Sequence, residues 1–141
     1  MLRSPKLTTT VHRPRILLAD DHRAILERAW DLLRVSFDVV AITDNGEDLI
    51  KEANRLNPDV IVADITMPIV NGIEAARELR EAGSSAKFVF LTVHQQSEFL
   101  EACRSEGALG YVLKSRMHTD LIPAIEQALA GKQFISPVVF Q

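Results

Sequence analysis

Asp59-Val60-Ile61-Val62-Ala63-Asp64-Ile65-Thr66-Met67-Pro68 is the stretch that decides the fold of this chain. An apolar run of strand length ends in a single carboxylate, Asp64, and Pro68 with Asn71-Gly72 then marks a turn. Three more short apolar runs end in the same manner. Ile16-Leu17-Leu18-Ala19 precedes Asp20-Asp21, Phe88-Val89-Phe90-Leu91 precedes Thr92, and Tyr111-Val112-Leu113 precedes Lys114. Strands that read as unbroken apolar runs are covered on both faces, which is the parallel case. Right-handed crossovers then bring every C-terminal strand end to one edge of the sheet, where such folds bind ligands.

Helical stripes fill the intervals. Ile25, Leu26, Ala29, Leu32 and Leu33 recur at helical spacing in a helix expected over Arg23 to Val35. A strand rich in β-branched residues follows, from Phe37 to Ile42. Asp44-Asn45-Gly46-Glu47 has the form of a capping box, and the helix it opens carries Leu49, Ile50, Ala53 and Leu56. A third helix is expected over Asn71 to Ala82, closed by Gly83, and a weaker fourth over Ser97 to Glu106, closed by Gly107. The last, Thr119 to Ala130, turns Leu121, Ile122, Ile125, Ala128 and Leu129 inward, with Pro123 in its first turn, where amides lack intrahelical partners. The reading is α/β, five strands alternating with five helices.

Composition narrows the function classes. The 141 residues carry a net charge of −3, so no electrostatic footprint for nucleic acid is present. No apolar run is long enough to span a bilayer. Met1 to Pro14 has basic residues without an apolar stretch, reads as a loose N-terminal arm, and is not a secretory signal. Cys103 is the single cysteine, which excludes an internal disulfide and fits a cytoplasmic location. It reads as a small core residue, and Trp30 also reads as core rather than interface.

Asp20, Asp21 and Asp64 would meet at adjacent strand ends. Carboxylates so crowded repel one another, and a hard divalent cation relieves that; Mg²⁺ suits oxygen ligands. Each acid alone has a plainer role, as a helix cap or turn residue. The conjunction with a hydroxyl at Thr92 and an ammonium at Lys114 points instead to a phosphoryl group. A carboxylate can attack phosphorus, while Mg²⁺ and Lys neutralise the developing charge.

These motifs, Leu17-Leu18-Ala19-Asp20-Asp21-His22, Asp64-Ile65-Thr66-Met67-Pro68 with Asn71-Gly72, Leu91-Thr92 and Gly110-Tyr111-Val112-Leu113-Lys114, resemble the receiver domain of two-component response regulators. The resemblance runs from about Arg15 to Gly131. Leu113-Lys114-Ser115 through Ala124-Ile125 to Phe134-Ile135-Ser136-Pro137 is similar to the NarL/FixJ-type subfamily, whose output is of LuxR type. It implies a flavodoxin-like (βα)5 fold, with a five-stranded parallel sheet in the order 2-1-3-4-5 and helices on both faces. It implies that Asp64 is phosphorylated by a sensor histidine kinase or a small donor such as acetyl phosphate. Asp21 and Asp64 would ligate Mg²⁺ directly, Asp20 through water, and Thr66 through its backbone carbonyl. Lys114 would pair with the phosphoryl oxygens. Thr92 would move toward them, and Tyr111 would turn inward into the space it leaves. The first and fifth helices, or the fourth-helix face, could pair in a homodimer. DNA would be reached only through an output domain, and residues 132–141 would begin a linker toward it. A stand-alone receiver acting as a phosphate shuttle or docking module is the alternative.

Some residues depart from that pattern. Val93 stands where a small residue is usual and should narrow access to Asp64. Thr66 and His94 occupy positions that tune dephosphorylation in such domains, although an exposed loop histidine without a role reads equally well. His22 reads as a helix-start residue rather than a metal ligand. A phosphatase of the haloacid dehalogenase type also uses Asp, Thr, Lys and Mg²⁺, but its nucleophile follows the first strand and is paired with an acid two residues on, where this chain has Thr66. A nucleotide binder of the same architecture lacks support, because neither G-x-G-x-x-G nor a Walker A loop is present.

Overall fold

The computed structural model describes residues 12–137. Its elements alternate: β1 (Arg15–Ala19), α1 (Arg23–Leu33), β2 (Asp38–Thr43), α2 (Gly46–Leu56), β3 (Val60–Ala63), α3 (Gly72–Glu81), β4 (Lys87–Thr92), α4 (Ser97–Ser105), β5 (Gly110–Leu113), a 3-10 turn (Lys114–Arg116), α5 (Met117–Leu129) and β6 (Phe134–Ile135). All strand pairs are parallel, in the order β2-β1-β3-β4-β5-β6. The expected order 2-1-3-4-5 is therefore present and continues into a sixth strand. That strand lies in the stretch read as the start of a linker. Two residues are too short to show a periodicity, so only pairing reveals them.

Alternation along the strands divides the core in two. Leu17, Ile61, Ala63 and Phe90 face a layer with Leu49 and Ala53 of α2, Ala76 and Leu79 of α3 and Leu100 of α4. Ile16, Leu18, Val62, Leu91 and Val112 face Ala29 and Leu33 of α1 and Leu121, Ile125 and Ala128 of α5. Helices thus cover both faces, and the central strands β1, β3, β4 and β5 are almost wholly buried. Cys103 packs in the first layer, where burial pushes its thiol up to about 12.

Helix ends depart from the sequence reading in three places. The cap of α2 is Asn45, which accepts from Asp48 N at 2.8 Å, not Asp44. The full capping box belongs to α3, where Asn71 accepts from Glu74 N at 2.9 Å and Glu74 accepts from Asn71 N at 3.1 Å. The last helix starts at Met117, running on from the 3-10 turn, so Pro123 lies inside it rather than in its first turn. Two apolar side chains are also displaced from the expected core. Leu129 is 38% exposed, as the last residue of α5. Trp30 is 41% exposed, with the Arg34 guanidinium 4.9 Å from its ring centre. The indole lies on the outer side of α1, where the helix surface turns from core to solvent.

Of the arm expected over residues 1–14, residues 1–11 lie outside the described residues. Its end is tied down: Asp38 N donates to Pro14 O at 2.9 Å, and Arg13 Nη2 to Arg34 O at 2.6 Å.

Candidate functional site

The β ladder carries the acids to one place. Asp64 N donates to Ala19 O at 2.9 Å and Asp20 N to Thr43 O at 3.1 Å, so pairing continues one residue past β3 and β1. Asp20 and Asp64 are each 3% exposed, whereas Asp21 opens to solvent. Lys114, first residue after β5, extends between the two buried acids. Its Nζ lies 2.8 Å from Asp20 Oδ2 and 3.0 Å from Asp64 Oδ2. The contact with Asp64 is a directed hydrogen bond. Asp20 Oδ2 has the charge of Lys114 beside it but no directed hydrogen bond, an orphaned buried acceptor.

Charge and burial pull against each other here. Burial, and then repulsion from Asp20, raise the Asp64 carboxyl above the usual range, against the opposing pull of Lys114 and the Ile65 N–H. Burial alone would lower the Lys114 ammonium, but its pairing with the Asp20 and Asp64 carboxylates outweighs this and holds it above its ordinary value. Asp64 Oδ1 accepts from Ile65 N at 2.7 Å, which leaves Oδ2 facing the cluster.

Asp20, Asp21, His22 and Asp64 each present an atom within 4.8 Å of the others. Three carboxylates against one ammonium, with an unsatisfied buried oxygen among them, fit a hard divalent cation such as Mg²⁺. His22 is the start residue of α1, as read, but its ring also folds back on the acids, which the sequence did not disclose. Its Nδ1 is 2.9 Å from Asp20 Oδ1, 3.2 Å from Asp21 Oδ1 and 3.3 Å from Lys114 Nζ.

Thr92 ends β4 wholly buried, and its hydroxyl accepts from His94 N at 3.1 Å. His94 is not a free loop residue. Its Nε2 lies 3.1 Å from Thr66 Oγ1, its ring stacks on Phe99 at 3.9 Å, and its carbonyl accepts from Tyr111 OH at 3.0 Å. One residue therefore joins Thr66, Thr92, α4 and β5. The ring of Tyr111 is already inward, 1% exposed, and burial raises its phenol above the ordinary value. Val93 is 65% exposed at the rim. Gly72 closes the floor: a Cβ there would lie 2.1 Å from Asp64 O, so only glycine lets α3 start this close to the site.

All the residues singled out at strand ends, Asp20, Asp21, Asp64, Thr92 and Lys114, thus meet at one sheet edge, with Thr66 and Tyr111 around them. The bracing of that edge by Asp120, Arg116 and Ser136 was not read from the sequence, because their partners lie up to 23 residues apart.

Among the described residues, no helix is long and apolar enough to cross a membrane. The family model "Response regulator receiver domain" matches residues 16–126. The chain is 36% identical over 123 residues to the nitrate/nitrite response regulator protein NarL of Escherichia coli (strain K12), covering 86% of this chain and 57% of that protein. It is 35% identical over 127 residues to the transcriptional regulatory protein DegU of Brevibacillus brevis, covering 89% of this chain and 54% of that one. The chain thus spans a little over half the length of these relatives. A crystal structure of a LuxR-family two-component response regulator from Aurantimonas sp. SI85-9A1 superposes with a TM-score of 0.84 at 36% identity, covering 90% of this chain and 92% of that one. With its acids, threonine and lysine gathered at the C-terminal edge of a parallel sheet, the chain belongs to the response regulator receiver domain family, on its NarL/LuxR branch.

Proposed function

We propose that Asp64 is the phosphoacceptor and that this chain takes a phosphoryl group from the phosphohistidine of a sensor histidine kinase, or from acetyl phosphate. The observation that carries this is the bridge from Lys114 Nζ to Asp64 Oδ2 and Asp20 Oδ2, at 3.0 and 2.8 Å. It places a fixed cation beside the one carboxylate oxygen that faces the cluster. Asp64 Oδ2 attacks phosphorus, a new P–O bond forms, and the bond to the donor nitrogen or acyl oxygen breaks. Lys114 then neutralises the oxygens of the incoming group, and the Thr92 hydroxyl turns from His94 N toward them.

Asp21, Asp64 and the Thr66 carbonyl, with Asp20 behind them, would hold Mg²⁺, which would supply charge neutralisation at the phosphoryl oxygens when bound. Val93 narrows the approach, so Val93→Ala speeds phosphorylation, hydrolysis or both.

The switch passes through Thr92 and Tyr111 to the face of α4, β5 and α5. DNA-binding transcription control in the cytoplasm is the output this reading favours, because the relatives that the chain matches include a transcriptional regulatory protein longer than this chain. A homodimer through α1 and α5 or through α4 would serve that output.

The test is intact mass after incubation with Mg²⁺ and acetyl phosphate. One phosphoryl mass on the native chain and none on Asp64→Ala is expected. Equal labelling of both would overturn the assignment of Asp64. Sustained hydrolysis of a generic phosphate ester would favour a phosphatase instead.

A further inference from the structure

The sixth strand reaches back to the phosphoacceptor edge. Phe134 N donates to Leu109 O and Ser136 N to Tyr111 O, each at 2.9 Å. One step farther along β5 the ladder changes partner. Leu113 N donates to the Ser136 side-chain Oγ, at 3.1 Å, instead of to a main-chain carbonyl. The same hydroxyl donates to Asp120 Oδ2 at 2.7 Å.

Asp120 is the hub of this cluster. It accepts from Arg116 Nε at 2.8 Å, Arg116 Nη2 at 3.3 Å and Thr119 Oγ1 at 3.0 Å. Ser136 and Asp120 are 1% and 4% exposed. A buried carboxylate satisfied by a guanidinium and two hydroxyls is a rigid unit, and a half-satisfied one is costly.

The position of this unit gives it a role. Leu113 immediately precedes Lys114, and Arg116 ends the 3-10 turn that Lys114 begins. Ser136 holds the backbone on one side of Lys114, and Asp120 holds Arg116 on the other. Lys114 Nζ must span two buried carboxylates, so its backbone has little freedom to drift.

We infer that Ser136 and Asp120 are positioning residues for Lys114 in phosphoryl transfer to Asp64, which makes β6 and Ser136 after it part of the site's support. This rests on the function proposed above.

The test uses the full chain with Mg²⁺ and acetyl phosphate, followed by intact mass, on the native protein and on Ser136→Ala, Ser136→Thr, Arg116→Gln and Ile135→Ala. Misplacing a reacting group by about 1 Å can cost 10²-fold, so losing one clip should slow labelling at saturating donor by roughly tenfold. Ser136→Ala and Arg116→Gln should both show this, with the half-saturating donor concentration unchanged. Ser136→Thr, which keeps the hydroxyl, should restore the native rate. Ile135→Ala loosens the packing of β6 without touching the hydroxyl and should label normally.

If Ser136→Ala and Ile135→Ala slow equally, the effect is general loss of stability and the inference falls. It also falls if Ser136→Ala and Arg116→Gln label at the native rate. Should Ser136→Ala not fold, Arg116→Gln decides alone, because that side chain is 36% exposed and outside the core. A native chain that takes up no phosphoryl group overturns the proposed function and this inference together. A native chain that labels beside unaffected variants overturns this inference only.

Discussion

The imidazole of His94 is held to Thr66 across the mouth of the site, Nε2 to Oγ1 at 3.1 Å, while its ring lies flat on Phe99 of α4. A link from the loop after β3 to the loop after β4 covers one side of Asp64. Under the proposed function, this link stands beside the aspartyl phosphate and screens it from hydrolytic water on that side. His94→Ala and Thr66→Val should each shorten the phosphoryl lifetime several-fold. Decay of the phosphorylated mass after donor removal measures it. Lifetimes equal to native in both variants would show that the pair does not screen the site.

Asp64 is an acid whose folded form disfavours charge, through burial and through repulsion from Asp20. Its pKa is raised by folding, so the stability penalty appears as pH climbs through the unfolded value of about 3.9 and is complete above the folded value. Asp64→Asn should therefore melt at a higher temperature than native at pH 7 in the presence of chelator. The gain should shrink on acidification and vanish below about pH 3, where the native carboxyl is protonated in both states. Added Mg²⁺ should narrow the difference at pH 7 by stabilising the native chain only.

Asp120 behaves in the opposite sense. Burial would raise it, but its bonds to Arg116, Ser136 and Thr119 together lower it below the usual carboxylate range. A depressed pKa contributes stability that is present above the unfolded value of about 3.9 and is lost as pH falls through the folded value. Asp120→Asn should thus be less stable than native at neutral pH and converge on it in acid. Denaturant midpoints taken across that pH range would show the two curves meeting, and parallel curves would contradict the assignment.

Gly72 has no room for a side chain. A Cβ would sit 2.1 Å from the Asp64 carbonyl oxygen and 3.1 Å from the Phe90 ring. Gly72→Ala should cost about 1–3 kcal/mol, the usual range for overpacking, and should slow phosphorylation by shifting the Asp64 loop. Chemical denaturation and the labelling rate check the two parts separately.

Cys103 is buried against Tyr111 and its neighbours, with its thiol pushed up to about 12. The thiolate is the reactive form, so iodoacetamide should modify it only on unfolding. Fast alkylation of the native chain would show that α4 opens far more readily than its packing suggests.

Apolar runs ending in Asp20, Asp64, Thr92 and Lys114 declared a parallel sheet and the edge at which these residues meet from the sequence alone. That was legible because burial on both faces writes a continuous apolar strand, and because a parallel sheet leaves its chemistry at one end. Helix stripes were legible for the same reason, although boundaries slipped where a cap competed with its neighbour, as at Asp44 and Asn45. What needed the tertiary structure was how individual side chains meet around that edge. The fold of His22 onto the acids, the tie from His94 to Thr66, the exposure of Trp30 and the β6 clip through Ser136 and Asp120 depend on which loops meet. Periodicity reports which face of an element is covered, whereas hydrogen bonds between loops depend on angles and distances that only the packed chain sets.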